Sequence, residues 1–108
     1  MQLTDYFEFL DADDIRIKGT RVGIETVLED YLNGASPEEI AARYRALTLE
    51  QVYATITYYL GYRQEVEAYL TRWRAYAEAE WQAQQQRPSP AVRRLRELKV
   101  QRQAQASA

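Results

Sequence analysis

The sequence predicts a mainly α fold: a three-helix core containing a helix-turn-helix, preceded by a short N-terminal β-hairpin and followed by a long C-terminal helix. Three observations carry this prediction. Two capping boxes, Ser36-Pro37-Glu38-Glu39 and Thr48-Leu49-Glu50-Gln51, open successive helices. Apolar residues recur at helical spacing from Ile24 onward. Before that point, Ile15-Arg16-Ile17-Lys18 alternates with the period of a half-exposed strand.

The first 22 residues favour strands. Tyr6-Phe7-Glu8-Phe9-Leu10 is aromatic-rich and Asp11-Ala12-Asp13-Asp14 is turn chemistry. Two strands alone are marginal in water, so this hairpin must pack on helices, pair with a second chain, or do both. The three aspartates lack the further spaced oxygens of a calcium loop and are read as a turn. Gly19 permits a bend, Thr20 braces it, and Arg21 is expected to pair with Glu25 or another acidic residue.

Ile24, Val27, Leu28, Tyr31 and Leu32 form one helical stripe, stopped by Asn33-Gly34. In the second helix Pro37 takes the first position, Ala35 and Ile40 form a weak staple, and Ile40, Ala41 and Tyr44 face inward. It is expected to end near Arg45, with a turn at 46–48. The third helix, 49–60, has Leu47 and Val52 as its staple. Its inward stripe is Leu49, Val52, Tyr53, Ile56, Tyr59 and Leu60, leaving Glu50, Gln51, Thr55 and Tyr58 outside. After a kink or short break at Gly61, helix 62–86 sets Tyr62, Val66, Tyr69, Trp73 and Tyr76 at heptad spacing, widened by Leu70, Ala77 and Trp81. Its first half is expected to serve the core. Its second half is expected to serve an oligomer interface, with Tyr69, Trp73, Tyr76 and Trp81 as the interface residues of a homodimer. Gln82–Gln86 and the break Arg87-Pro88-Ser89-Pro90 precede a last helix over roughly 90–104.

The 108 residues include no cysteine and no histidine, which excludes disulfides and thiolate metal sites and removes the commonest general base. Only Lys18 and Lys99 are lysines, and no glycine-rich phosphate loop appears among four glycines. A non-catalytic protein without metal or cofactor is expected. No apolar run approaches the roughly 20 residues of a membrane span, and Met1-Gln2-Leu3-Thr4-Asp5 lacks the start of a signal peptide; the expected location is cytoplasmic. The net charge of −2 conceals a division: residues 1–86 carry −7 and residues 87–108 carry +5. The chain is therefore read as a folded body, 1–86, with a basic C-terminal arm, 87–108.

Ile17-Lys18-Gly19-Thr20-Arg21-Val22, then Gly34-Ala35-Ser36-Pro37-Glu38-Glu39-Ile40, then Leu47-Thr48-Leu49-Glu50-Gln51-Val52-Tyr53-Ala54 resemble, in order and spacing, the domain-of-unknown-function family numbered 433. The likeness spans about residues 6–62. Asp13-Asp14-Ile15-Arg16 stands where the family usually has a Gly-Lys-Pro stretch, and Ala46 where a proline often precedes the Leu-Thr pair. The resemblance implies a homeodomain-like helix-turn-helix and a role similar to the antitoxins of bacterial type II toxin–antitoxin pairs, whose partner is a PIN-like ribonuclease toxin.

Two partners follow as expectations. For operator DNA, Gln51 and Thr55 would read base edges while Arg43, Arg45, Arg63, Lys18 and Arg21 meet phosphates. For the PIN-like toxin, Arg93, Arg94 and Arg96 would face the carboxylates that hold its metal ions, with Val92, Leu95 and Leu98 anchoring the arm in a groove. The alternative is a structural oligomerisation and protein-interaction module with no nucleic-acid role.

Overall fold

A computed structural model describes residues 1–86 and 89–107. Among the described residues the chain is mainly helical and carries one two-stranded antiparallel sheet, β1 (Phe7–Asp11) and β2 (Asp14–Ile17). Five α-helices follow: α1 (Ile24–Leu32), α2 (Pro37–Arg43), α3 (Leu49–Gly61), α4 (Arg63–Gln86) and α5 (Pro90–Ser107). Two compact units divide it, Met1–Arg74 and Ala75–Ala108, the division falling within α4. The break expected at Arg87-Pro88 lies outside the described residues. None of the described helices is long and apolar enough to cross a membrane.

The hairpin forms where strand periodicity and turn chemistry placed it. Phe7 pairs with Ile17 and Phe9 with Ile15, and a bulge at Leu10 brings Asp11 opposite Asp14. The Asp11 carboxylate accepts a 2.7 Å bond from the backbone N–H of Asp13, closing the turn. The extended start expected before it is instead a 3₁₀ helix, Leu3–Tyr6, because Asp5 turns back to cap the N–H of Gln2 at 2.9 Å.

The helix-turn-helix is present. α1 ends as predicted at Asn33-Gly34, with Gly34 at φ +100° and the N–H of Ala35 returning to the carbonyl of Asp30 at 3.0 Å. Both capping boxes are formed. The N–H of Glu39 donates to Ser36 Oγ and the N–H of Ser36 to Glu39 Oε1; Thr48 and Gln51 exchange the same pair of bonds. α2 stops at Arg43, two residues early, because Tyr44 leaves the helix and donates its hydroxyl to Asp30 at 2.9 Å. The connection is thus 44–48 rather than 46–48.

The core of the first unit lies where α1, α2, α3, β2 and the start of α4 meet. Ile17, Ile24, Leu28, Ile40 and Val52 are fully buried, with Leu47 and Ile56 beside them. Tyr62, at φ −126° and ψ 48°, separates α3 from α4, so the expected break is real. α4 then contributes Val66, Tyr69 and Leu70 to the core. Beyond Arg74 its residues are largely exposed, Tyr76 at 67%. Leu70→Ala should therefore destabilise the protein by about 2–5 kcal/mol. Tyr76→Ala should change stability by no more than about 0.5 kcal/mol. Urea unfolding followed by far-UV circular dichroism compares the two.

Candidate functional site

α3 would be the recognition helix of a DNA-binding protein, and its buried faces differ from the expected ones. Thr55, proposed to read a base edge, is wholly buried and donates its hydroxyl to the carbonyl of Gln51 at 2.8 Å. Tyr58, expected outside, is also buried. Its ring lies 5.0 Å from that of Phe7 and 6.1 Å from that of Phe9. Tyr6 donates its hydroxyl to Glu50 at 2.6 Å. The N-terminal segment thus covers the side of α3 that a single inward stripe leaves open. Leu49, Tyr53 and Leu60 are correspondingly displaced from the predicted core to the surface, at 42%, 46% and 56% exposure. Gln51 stays half-exposed, with its side-chain carbonyl engaged by the N–H of Thr48. The signal for this was in Tyr6–Leu10: a strand that aromatic needs an apolar surface, and the ring of Tyr58 supplies one.

The expected phosphate-contacting cations fall into two groups. Arg43 is tied to Asp30 at 3.2 Å. Arg63 is tied to Glu67 at 3.2 Å and lies 5.6 Å over the Tyr59 ring. Lys18, Arg21 and Arg45 are exposed, with no ion pair among the described residues. The Arg21–Glu25 pair does not form, because Glu25 is engaged by Tyr69. The Thr20 brace does form: its hydroxyl donates to the carbonyl of Ile17 and accepts from the N–H of Val22, holding the bend at Gly19, φ +80°. The aspartates of the hairpin tip are each occupied. Asp14 holds Arg16 through two 3.0 Å bonds, and Asp13 accepts from Arg72 of α4 at 2.6 Å.

Tyr69, expected at an oligomer interface, sits instead in the protomer's own core, 2% exposed. Its hydroxyl donates to Glu25 at 2.7 Å and accepts from the N–H of Ile15 at 3.3 Å, joining α4, α1 and β2. Burial, and secondly the Glu25 carboxylate, push its phenol well above the ordinary range. Sequence reading missed a wider pattern of the same kind. Tyr53 donates to Glu38 and Tyr59 to Glu67, tying α3 to α2 and α4. These bonds hold both carboxyls below their usual value; at Glu38 a backbone bond adds to the effect, and at Glu67 Arg63 does.

Trp73 is half-buried in the first unit, whereas Tyr76 and Trp81 are exposed. In the second unit, Ser89 opens α5, its hydroxyl accepting from the N–H of Val92 at 3.4 Å. Val92, Leu95 and Leu98 step by three along the helix and are 40%, 67% and 50% exposed. Arg93 and Arg94 are exposed without an ion pair among the described residues, and Arg96 donates to Gln85 at 3.0 Å. The six residues expected to bind the toxin therefore lie on one helix, α5.

The first unit is thus a helix-turn-helix of three helices with a hairpin folded across it, completed by the start of a fourth helix. Residues 13–59 match the model of the family described as "Protein of unknown function (DUF433)", the family that the sequence resembles. No curated protein and no solved structure matches the chain.

Tyr69→Phe should destabilise the protein by about 1–3 kcal/mol, since the buried N–H of Ile15 loses its acceptor and Glu25 its donor. Gly23→Ala should act in the same direction, because a Cβ there would overlap the Glu25 carboxylate. Urea midpoints measure both. The pH dependence follows from Glu38 and Glu67. Their carboxyls titrate lower in the folded protein, so the stability they contribute is present above the ordinary value of 4.5 and lost as pH falls. Between about pH 6 and about pH 3 the melting temperature should drop. A Tyr53→Phe, Tyr59→Phe double variant should show a shallower drop.

Proposed function

We propose that this protein is a non-catalytic, antitoxin-like binding protein whose basic helix α5 occupies the acidic metal-binding site of a PIN-like nuclease. The observation that carries this reading is the composition of α5. Val92, Leu95 and Leu98 are left uncovered beside Arg93 and Arg94, which have no ion pair among the described residues. An exposed apolar stripe flanked by unpaired guanidinium groups has two uses for a partner: a groove for the stripe, and carboxylates for bidentate, charge-assisted bonds.

DNA reading by Gln51 and Thr55 is not part of this proposal, since Thr55 is buried and Gln51 is engaged in the capping box. A second reading, a self-associating interaction module, draws on the exposed Tyr76 and Trp81 of α4.

The test uses the full chain and the product of the neighbouring gene, which this reading requires to be a PIN-like nuclease. Binding is measured by calorimetry and neutralisation by RNA cleavage. Arg93→Gln with Arg94→Gln should weaken binding at least tenfold and restore cleavage, on the basis of about 1.5–3 kcal/mol for each charge-assisted bond. Wild-type affinity in that variant removes α5 from the interface and leaves the self-association reading. Tyr53→Phe, on the other unit, should bind normally.

A further inference from the structure

We propose that the outer edge of β1 is a self-association surface, on which the β1 strand of a second copy pairs antiparallel about Phe9 to join two hairpins into one four-stranded sheet. This goes beyond the toxin-binding reading and does not rest on it.

The register identifies the open edge. The N–H of Lys18 donates to the carbonyl of Tyr6 at 2.8 Å, making 6 and 18 a hydrogen-bonded pair. The alternation of an antiparallel ladder then makes 8 and 16 such a pair and turns the backbone groups of 7, 9, 15 and 17 outward. On β2 the outward N–H groups are occupied. That of Ile17 donates to the carbonyl of Val22 at 2.9 Å, that of Ile15 donates to Tyr69, and Arg16 bridges Gly23. On β1 the N–H of Phe7 returns to Thr4. The N–H and C=O of Phe9 have no partner among the described residues. A strand edge of this kind is a template for another strand; β1, Phe7-Glu8-Phe9-Leu10-Asp11, has no lysine or proline, and its bulge at Leu10 leaves Phe7 to Phe9 in regular register.

Charge and symmetry select a second copy as the occupant. Antiparallel pairing about Phe9 sets Phe9 opposite Phe9, Glu8 opposite Leu10 and Asp11 opposite Phe7, so no carboxylate faces another. Parallel in-register pairing would oppose Glu8 with Glu8 and Asp11 with Asp11. The two-fold register also lets each Phe9 give its N–H to the other's carbonyl. The exposed apolar surface is continuous with this edge. Phe9 is 49% exposed, and the ring of Tyr58 links it to Tyr62, 48% exposed, at 6.1 Å and 5.1 Å between centroids. Leu10 is 54% exposed. Pairing covers this strip with its own copy, and a four-stranded sheet relieves the weakness of an isolated hairpin.

The full chain has no cysteine, so single substitutions report the register directly. Cα atoms of a hydrogen-bonded antiparallel pair lie about 5.5 Å apart, within the range of about 4.4–6.8 Å that a disulfide spans. Wild-type protein should scatter light at twice the 12.7 kDa chain mass. Phe9→Cys should convert to a covalent dimer under mild oxidation, whereas Tyr76→Cys and Trp81→Cys should not. Phe9→Lys and Phe9→Glu should each halve the mass, and mixing them should restore a one-to-one dimer. A monomeric wild type overturns the proposal. So does a dimer that persists in Phe9→Lys and cross-links through Tyr76→Cys rather than Phe9→Cys.

Discussion

The first unit is closed by the buried hydroxyl of Tyr69. It gives its proton to Glu25 at the start of α1 and takes the N–H of Ile15 from β2, so one atom fixes three elements. The hydrophobic residues around it, Val66 and Leu70, provide the burial that holds α4 against the core. The hydroxyl provides the position. Without it, the hairpin would present an unpaired N–H to an apolar surface, and the glutamate folded over Gly23 would have no donor. Arg72, bound to Asp13 and to the carbonyl of Ala12, extends the same junction to the hairpin tip. That pair is exposed and contributes little energy, but it agrees with Tyr69 on where the hairpin lies.

Anchoring the hairpin from α4 has a consequence on its opposite side. The segment leading into β1 is drawn across α3, where Tyr58 meets Phe7 and Phe9 and Glu50 meets Tyr6. α3 is thereby buried on two sides rather than one. Of the four residues that a single inward stripe leaves outside, Thr55 and Tyr58 are buried, while Glu50 is exposed, Gln51 half-exposed, and Leu49, Tyr53 and Leu60 stand at the surface. What the packing leaves open is the outer edge of β1 and, in the second unit, the exposed faces of the basic helix α5.

The tyrosines share one arrangement. Tyr6, Tyr44, Tyr53, Tyr59 and Tyr69 each give a hydroxyl proton to a carboxylate on another element. A small core needs large side chains to fill it, and a tyrosine fills space while leaving a polar tip that must find an acceptor. An acidic body supplies those acceptors. The composition, rich in tyrosine and in Asp and Glu, therefore reflects one structural habit.

The sequence by itself determined the elements. Ser36 with Glu39 and Thr48 with Gln51 fixed two helix starts, Gly34 a helix end, and Asp11 to Asp14 a turn, because each acts through neighbours a few residues away. The division of charge after residue 86 was equally legible, being a property of composition. What only the tertiary structure decided was which face of each helix is covered. Periodicity marks a helix's apolar side, but Tyr58 is met by Phe7 and Phe9 of a strand more than forty residues away, and Thr55 is buried as well. Tyr69 could be placed in a core or at an interface on the same heptad spacing. Arg21 lost Glu25 to a tyrosine forty-four positions beyond it. Such competition between partners distant in sequence is settled by packing, where shape and hydrogen-bond satisfaction are judged for all elements at once.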